Sequence, residues 1–109
     1  MIYMVSKYLK IVMISFVVTL SGCALTTKLN MSEGIRSFQV QDYRRAFIKL
    51  KPEADRGNPQ AQYAVGYMYF YGQGVVEDRK QALYWIRCAA KAKYPDAVAA
   101  MKILAKKPK

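Results

Sequence analysis

The sequence predicts an all-α chain: a short α-solenoid of antiparallel helix pairs, about two repeats long, behind an N-terminal signal segment. Three observations predict it. Shifted by 36 residues, the chain matches itself without a gap: Val40 meets Val76, Asp42 meets Asp78, Ala46 meets Ala82, Leu50 meets Ile86, Ala54 meets Ala90, Pro59 meets Pro95, Ala61 meets Ala97, Ala64 meets Ala100 and Met68 meets Leu104. Helix punctuation keeps the same register. Asp42 and Asp78 stand where a side-chain oxygen caps free N–H groups, Pro59 and Pro95 stand where a helix opens, and Gly57 stands where one stops. Apolar residues also follow helical spacing, with Ala61, Ala64, Val65 and Met68 on one face and Ala82, Leu83, Ile86, Ala89 and Ala90 on the next. Self-similarity at this period marks arrays in which each unit buries its apolar face against its neighbours.

Taken in order, the expected elements are a helix from about Ser32 to Phe38, a helix Tyr43 to Arg56, a helix Pro59 to Tyr71, a loop Gly72 to Glu77, a helix Arg79 to Lys93 and a helix Pro95 to about Lys106. Pro52 interrupts the second of these and is expected to kink it, because it removes a donor and crowds the preceding turn. Gln81 lies three residues after Asp78, the spacing of a capping box. The mixture of small and large apolar residues suits helices that approach closely with interlocking ridges.

The first residues read as a targeting segment. Lys7 and Lys10 precede an apolar run, Ile11 to Leu20, that is ten residues long, where a spanning helix needs about twenty. Small residues and a cysteine follow, the layout of a secretory signal. "LSGC", Leu20 to Cys23, resembles the bacterial lipobox, which implies that Cys23 is lipidated and becomes the mature N-terminus. The next residue is Ala24 and not Asp, which by the Gram-negative sorting rule implies the outer membrane, facing the periplasm. The chain then divides into 1–22, a lipoprotein signal peptide; 23–34, a lipidated polar tether; and 35–109, the helical repeat domain.

The stretch from Ala61 to Ala90 has a more specific likeness. Ala61, Val65-Gly66, Tyr69, Gly72-Gln73-Gly74-Val75, Asp78, Ala82, Trp85 and Ala89-Ala90 fall at the spacing of a Sel1-like repeat, a relative of the tetratricopeptide repeat. The resemblance implies that these positions are structural. Gly66 admits a bulky side chain of the neighbouring helix, Gly72 and Gly74 take positive φ in the loop, and Val75 and Trp85 cover the small residues opposite. The stretch from Asp42 resembles the partial first unit of such an array. Where that pattern has a glycine after its last helix, this chain has Tyr94.

Little catalytic chemistry is available. The chain has no histidine, which removes the commonest general base and metal ligand and every Ser-His or Cys-His dyad. Two cysteines, Cys23 and Cys88, are too few for a zinc site or a disulfide framework. Some secreted Sel1-like proteins have a disulfide in each repeat and a hydrolase activity attributed to them, but this chain lacks those cysteine pairs. Cys88 reads as a packing residue. Glu53 and Asp55 point to different helix faces, and "GQGVVED" lacks the Lys-Ser/Thr of a phosphate-binding loop. No enzyme activity, metal or cofactor is expected.

Charge and aromatics remain. The formal net charge is +11, from 18 basic and 7 acidic side chains. Such a surface attracts acidic proteins and anionic head groups; a protein outside the cytoplasm is not expected to bind nucleic acid. Arg44, Arg45, Lys49, Lys51 and Arg56 load one helix, and Lys102, Lys106, Lys107 and Lys109 form a basic tail. Tyr63, Tyr67, Tyr69, Phe70 and Tyr71 crowd another helix on more than one face. Of these, Tyr63, Tyr67 and Tyr71 are the candidate partner-binding residues, since exposed tyrosines serve as interface anchors. The expected function is a membrane-anchored protein-interaction module of the cell envelope, in host interaction or envelope regulation. The alternative is a small periplasmic inhibitor or immunity protein for an acidic partner.

Overall fold

The computed structural model describes residues 2–106, apart from the side chains of 13–24. Its helices are α1 (Ile2–Gln39), α2 (Tyr43–Asp55), α3 (Pro59–Tyr71), α4 (Arg79–Lys91) and α5 (Pro95–Ala105), with no strand among the described residues. Each helix packs on the next along the chain, α1 on α2, α2 on α3, α3 on α4 and α4 on α5. Short connections make such neighbours antiparallel, and the result is the expected short solenoid.

Alanine and glycine set how closely the helices approach. Ala46, Leu50 and Ala54 of α2, Ala61, Ala64, Val65 and Met68 of α3, and Trp85 of α4 form one buried cluster. Ile86 and Ala89 of α4 form a second with Ala97 of α5. A Cβ placed on Gly66 would lie 2.7 Å from the Ile86 Cγ1 and 3.1 Å from both the Ala82 carbonyl oxygen and the Ile86 nitrogen. So Ile86 rests on bare backbone, as expected for Gly66. The same device joins α1 to α2: a Cβ on Gly34 would lie 2.6 Å from the Leu50 side chain. Leu50 and Ile86 are partners under the 36-residue shift.

That contact belongs to a segment expected to be a tether. Residues 24–34 are helical instead, within α1. Met31, Ile35 and Phe38 pack on the core, Phe38 meets the rings of Tyr43 and Tyr67 at 5.4 and 5.5 Å, and Asn30 donates to the buried Glu53. Glu33 accepts from Arg45 and, at 3.1 Å, pairs with Lys49; these two cations hold its carboxyl below the ordinary value. The helix expected to start near Ser32 therefore extends well before it, and the end of α1 completes the first helix pair. Local composition understates this because a helix in a folded protein draws most of its stability from the face it packs.

Helix ends follow one recipe three times. After α2, the N–H groups of Gly57 and Asn58 return to the carbonyls of Ala54 and Glu53, a Schellman closure with Gly57 at φ 97°. After α4, Lys93 and Tyr94 bond Ala90 and Ala89 in the same way, and after α1, Gln41 and Asp42 bond Phe38 and Ser37. The left-handed position after α4 is thus Lys93 at φ 63°, with Gln41 at φ 65° after α1. Tyr94, which stands where the repeat pattern has a glycine, is the N-cap of α5, and the turn before it closes without one. At α4, Asp78 accepts from Lys80 and Gln81 N–H at 3.0 and 3.1 Å. Its own N–H donates to the Tyr69 carbonyl, so the reciprocal half of the capping box is replaced by a tie to α3. α2 continues through Pro52 to Asp55.

Two outcomes follow. Gly66→Ala gains about 1 kcal/mol of helix propensity but overpacks the α3–α4 contact, at about 1–3 kcal/mol. Two of its three close neighbours are backbone atoms that cannot swing away, so a net loss of up to about 2 kcal/mol is expected in urea unfolding. No loss would mean that the helices are not held at this distance. Lys93→Gly is expected to raise stability by about 1 kcal/mol, because a side chain at left-handed φ costs roughly 1–2 kcal/mol. An unchanged denaturation midpoint would show that the turn is unstrained.

Candidate groove on the inner face of the solenoid

Positions four apart share one helix face, and Tyr63, Tyr67 and Tyr71 accordingly form a line along α3. They make one wall of an open groove of about 380 Å³ whose other wall is α5, through Asp96, Ala99, Ala100, Ile103 and Leu104. Tyr63 and Tyr67 are half-buried, whereas Tyr71 is 58% exposed and Ile103 71%. The rings are mutually fixed: Tyr67 lies 4.7 Å from Tyr71, and Tyr63 lies 5.6 Å from Tyr94. The remaining aromatics separate by face. Tyr69 turns to the core and meets Phe47 edge-on at 5.5 Å. Phe70 borders the groove and lies under the Arg79 guanidinium at 4.5 Å.

The 36-residue register extends across this inner face in a way the tether reading concealed. Thr27, Met31 and Ile35 of α1 occupy the positions of Tyr63, Tyr67 and Tyr71, and they line a second hollow of about 520 Å³ against Gln60 of α3 and its N-cap Asn58. Carrying the same register back past Val40 is the signal that would have revealed it. On α5 the same positions are Ala99 and Ile103.

The motif residues occupy structural places. Ala61, Ala82 and Ala89 are fully buried and Trp85 is 7% exposed, with Ala90 half-buried beside them. Lys51 lies over the Trp85 ring at 5.1 Å. Gly72 and Gly74 take φ 66° and 74°. Gly74 does more than was expected of it, since a Cβ there would meet the Tyr43 carbonyl at 2.6 Å. The loop therefore folds back on the start of α2. Val75 packs on the core, as expected.

The basic surface is less open than the composition implies. Arg45 and Lys49 are engaged by Glu33, Lys51 by Asp55, Arg56 by Glu53 and Arg79 by Glu77. Glu53 is the acid that sequence spacing undervalued: it is 1% exposed, and its Oε1 accepts from Asn30 and Arg56. Cys88 is half-buried with a free thiol. The side chain of Cys23, and Lys107 and Lys109 of the tail, lie outside the described residues. Among the described residues no cluster of His, Cys, Asp or Glu is suited to a metal ion, and no helix is long and apolar enough to cross a membrane.

Burial in the groove, and secondarily the nearby Asp96, raises the Tyr63 phenol above the ordinary 10.0. An acid whose pKa is raised by folding gives stability that is complete below the unfolded value and lost as pH rises through the folded one. Alkaline titration of tyrosinate absorbance is therefore expected to show a late component that Tyr63→Phe removes and Asp96→Asn moves only part-way down. A late component that survives Tyr63→Phe would assign it elsewhere.

Residues 59–94 match the family model for the Sel1 repeat. The matched segment runs from the first residue of α3, through its glycine loop and α4, to Tyr94. This segment is similar to a Sel1 repeat, and repeats of this kind serve in protein–protein interaction and are generally not enzymes. No solved structure matches the chain.

Proposed function

We propose, from the Sel1 repeat formed by α3 and α4, that the protein is a membrane-anchored adaptor of the bacterial cell envelope. A protein partner docks on the groove between α3 and α5. The observation that supports this most is the alignment of Tyr63, Tyr67 and Tyr71 on one open face, opposite an exposed Ile103. Rigid aromatics beside an uncovered aliphatic side chain are the composition of an interface anchor.

The anchor is Cys23, lipidated at the lipobox-like "LSGC" and held at the outer membrane facing the periplasm, in host interaction or envelope regulation. Helical backbone from Ala24 onward supports a short, stiff stalk. Met31, the first α1 residue packed on the core, follows Cys23 by eight positions, about 12 Å of helix. The groove is thereby kept near the bilayer and the search for a partner is confined to the membrane surface. The ion pairs described above weigh against the alternative, a small inhibitor for an acidic enzyme, since several of the cations it would use already pair with carboxylates of this chain.

Crosslinking in intact cells, followed by capture of the chain, tests both parts. Cys23→Ser is expected to abolish acyl labelling and release the protein from membranes; continued labelling and retention after carbonate washing would overturn the anchor. Tyr67→Ala or Tyr71→Ala is expected to weaken capture of the crosslinked partner by about 1–2 kcal/mol. Loss of Lys106, Lys107 and Lys109 should chiefly slow association, in a way that salt reproduces. The reverse pattern, with silent tyrosines in folded protein, would replace the groove by the basic surface.

A further inference from the structure

α5 is apolar and yet barely covered. Of its eleven residues only Ala97 is buried. Met101 and Leu104 touch the cluster around Ile86 from one side, while the opposite side presents Asp96, Ala99, Ile103 and Lys106, all exposed. These four are spaced by three, four and three positions, so they form one line along the helix. Read along α5 the line is acid, small, large, base. Read backwards it is base, large, small, acid. The line is therefore complementary to its own reverse.

From this we infer that two copies of the chain pair through α5, antiparallel, about a two-fold axis at the level of Met101. In that register Asp96 of each copy faces Lys106 of the other, and Ile103 of each rests on Ala99 of the other. Both matches occur in the same register, as an isologous contact requires. The large-on-small fit repeats the rule that joins the helices within the chain, where Ile86 rests on Gly66 and Leu50 on Gly34.

Other occupants fit less well. α1, α2, α3 and α4 have no acid in the first turn, whereas α5 has Asp96 in its first turn and Lys102 in its last. Within this chain α5 is thus the helix with the charge order that an antiparallel neighbour of α5 needs. An extended peptide would bring a whole run of main-chain N–H and C=O groups, more than the three tyrosine hydroxyls and the Asp96 carboxylate of the groove can pair, whereas a helix satisfies its own. The pairing is independent of the docking role proposed above, but it uses the α5 wall of the same groove. Self-association and capture of another partner at Ile103 therefore exclude one another. One helix per copy is a small contact, and the net positive charge opposes it, so the dimer is weak in solution and favoured where copies are concentrated on a surface.

The test is sedimentation equilibrium of the full chain in detergent, over a range up to about 100 μM, with helicity checked by circular dichroism. The wild-type chain is expected to show a reversible monomer–dimer equilibrium. Asp96→Lys and Lys106→Asp should each weaken it about five- to tenfold, and Ile103→Ala by a similar factor. The double variant Asp96→Lys with Lys106→Asp restores complementarity and should return to within about twofold of wild type. Because all three side chains are exposed, the fold should not change. A chain that stays monomeric throughout, a dimer indifferent to the single variants, or a charge-swapped double variant that stays weak would each overturn the pairing.

Discussion

A branched side chain pressed against the bare backbone of a glycine is the contact on which the rest of this structure depends. Ile86 rests on Gly66 and Leu50 on Gly34, so both helix pairs are closed to the distance at which alanines can complete the seam. The core then needs few large residues. Leu50, Met68 and Val65 are the largest fully buried apolar side chains, each worth about 1.5–3 kcal/mol relative to exposure, and the remaining contacts come from alanines that are small enough to share the space. A wider spacing would leave those alanines facing voids.

Polar groups fix how the pairs are joined. Glu53 is almost wholly buried, and removing the partners of such a charge is costly; Asn30 from α1 and Arg56 just after α2 both donate to it. Gly74 folds the long loop onto the start of α2, and the Asp78 N–H ties the opening of α4 back to α3. Together these contacts position the first helix pair against the pair formed by α3 and α4.

The inner face is a consequence of that spacing. Because α3 and α5 both pack on α4 and both run antiparallel to it, they lie side by side, and the line of tyrosines on one faces the aliphatic line on the other. The groove is built by repetition, and its character changes along the array because the repeated positions are filled differently: Thr27, Met31 and Ile35, then Tyr63, Tyr67 and Tyr71, then Ala99 and Ile103.

By itself the sequence determined the helix pairs, their order and most of their ends. These depend on local chemistry: an Asp or Asn side chain that caps N–H groups, a proline that tolerates the first helical position, a glycine that tolerates positive φ. The resemblance to a Sel1-like repeat also marked Gly66 and Trp85 as packing residues, and Tyr63, Tyr67 and Tyr71 stood out as candidates for an exposed binding surface. Other features were decided by tertiary structure. Residues 24–34 look like a polar tether, and they are helical because Gly34, Met31 and Asn30 meet α2 and the core. Lys93 holds a left-handed position that its own preference disfavours, because the carbonyls of Ala89 and Ala90 are closed by the turn it completes. The spacing of Glu53 and Asp55 does not show that Glu53 is buried, where Asn30 of α1 donates to it. For the tether and for Glu53 the deciding partner is remote in the chain, and for Lys93 it is the hydrogen bonding that closes the turn; local propensity, worth only tenths of a kcal/mol for most residues, yields to both.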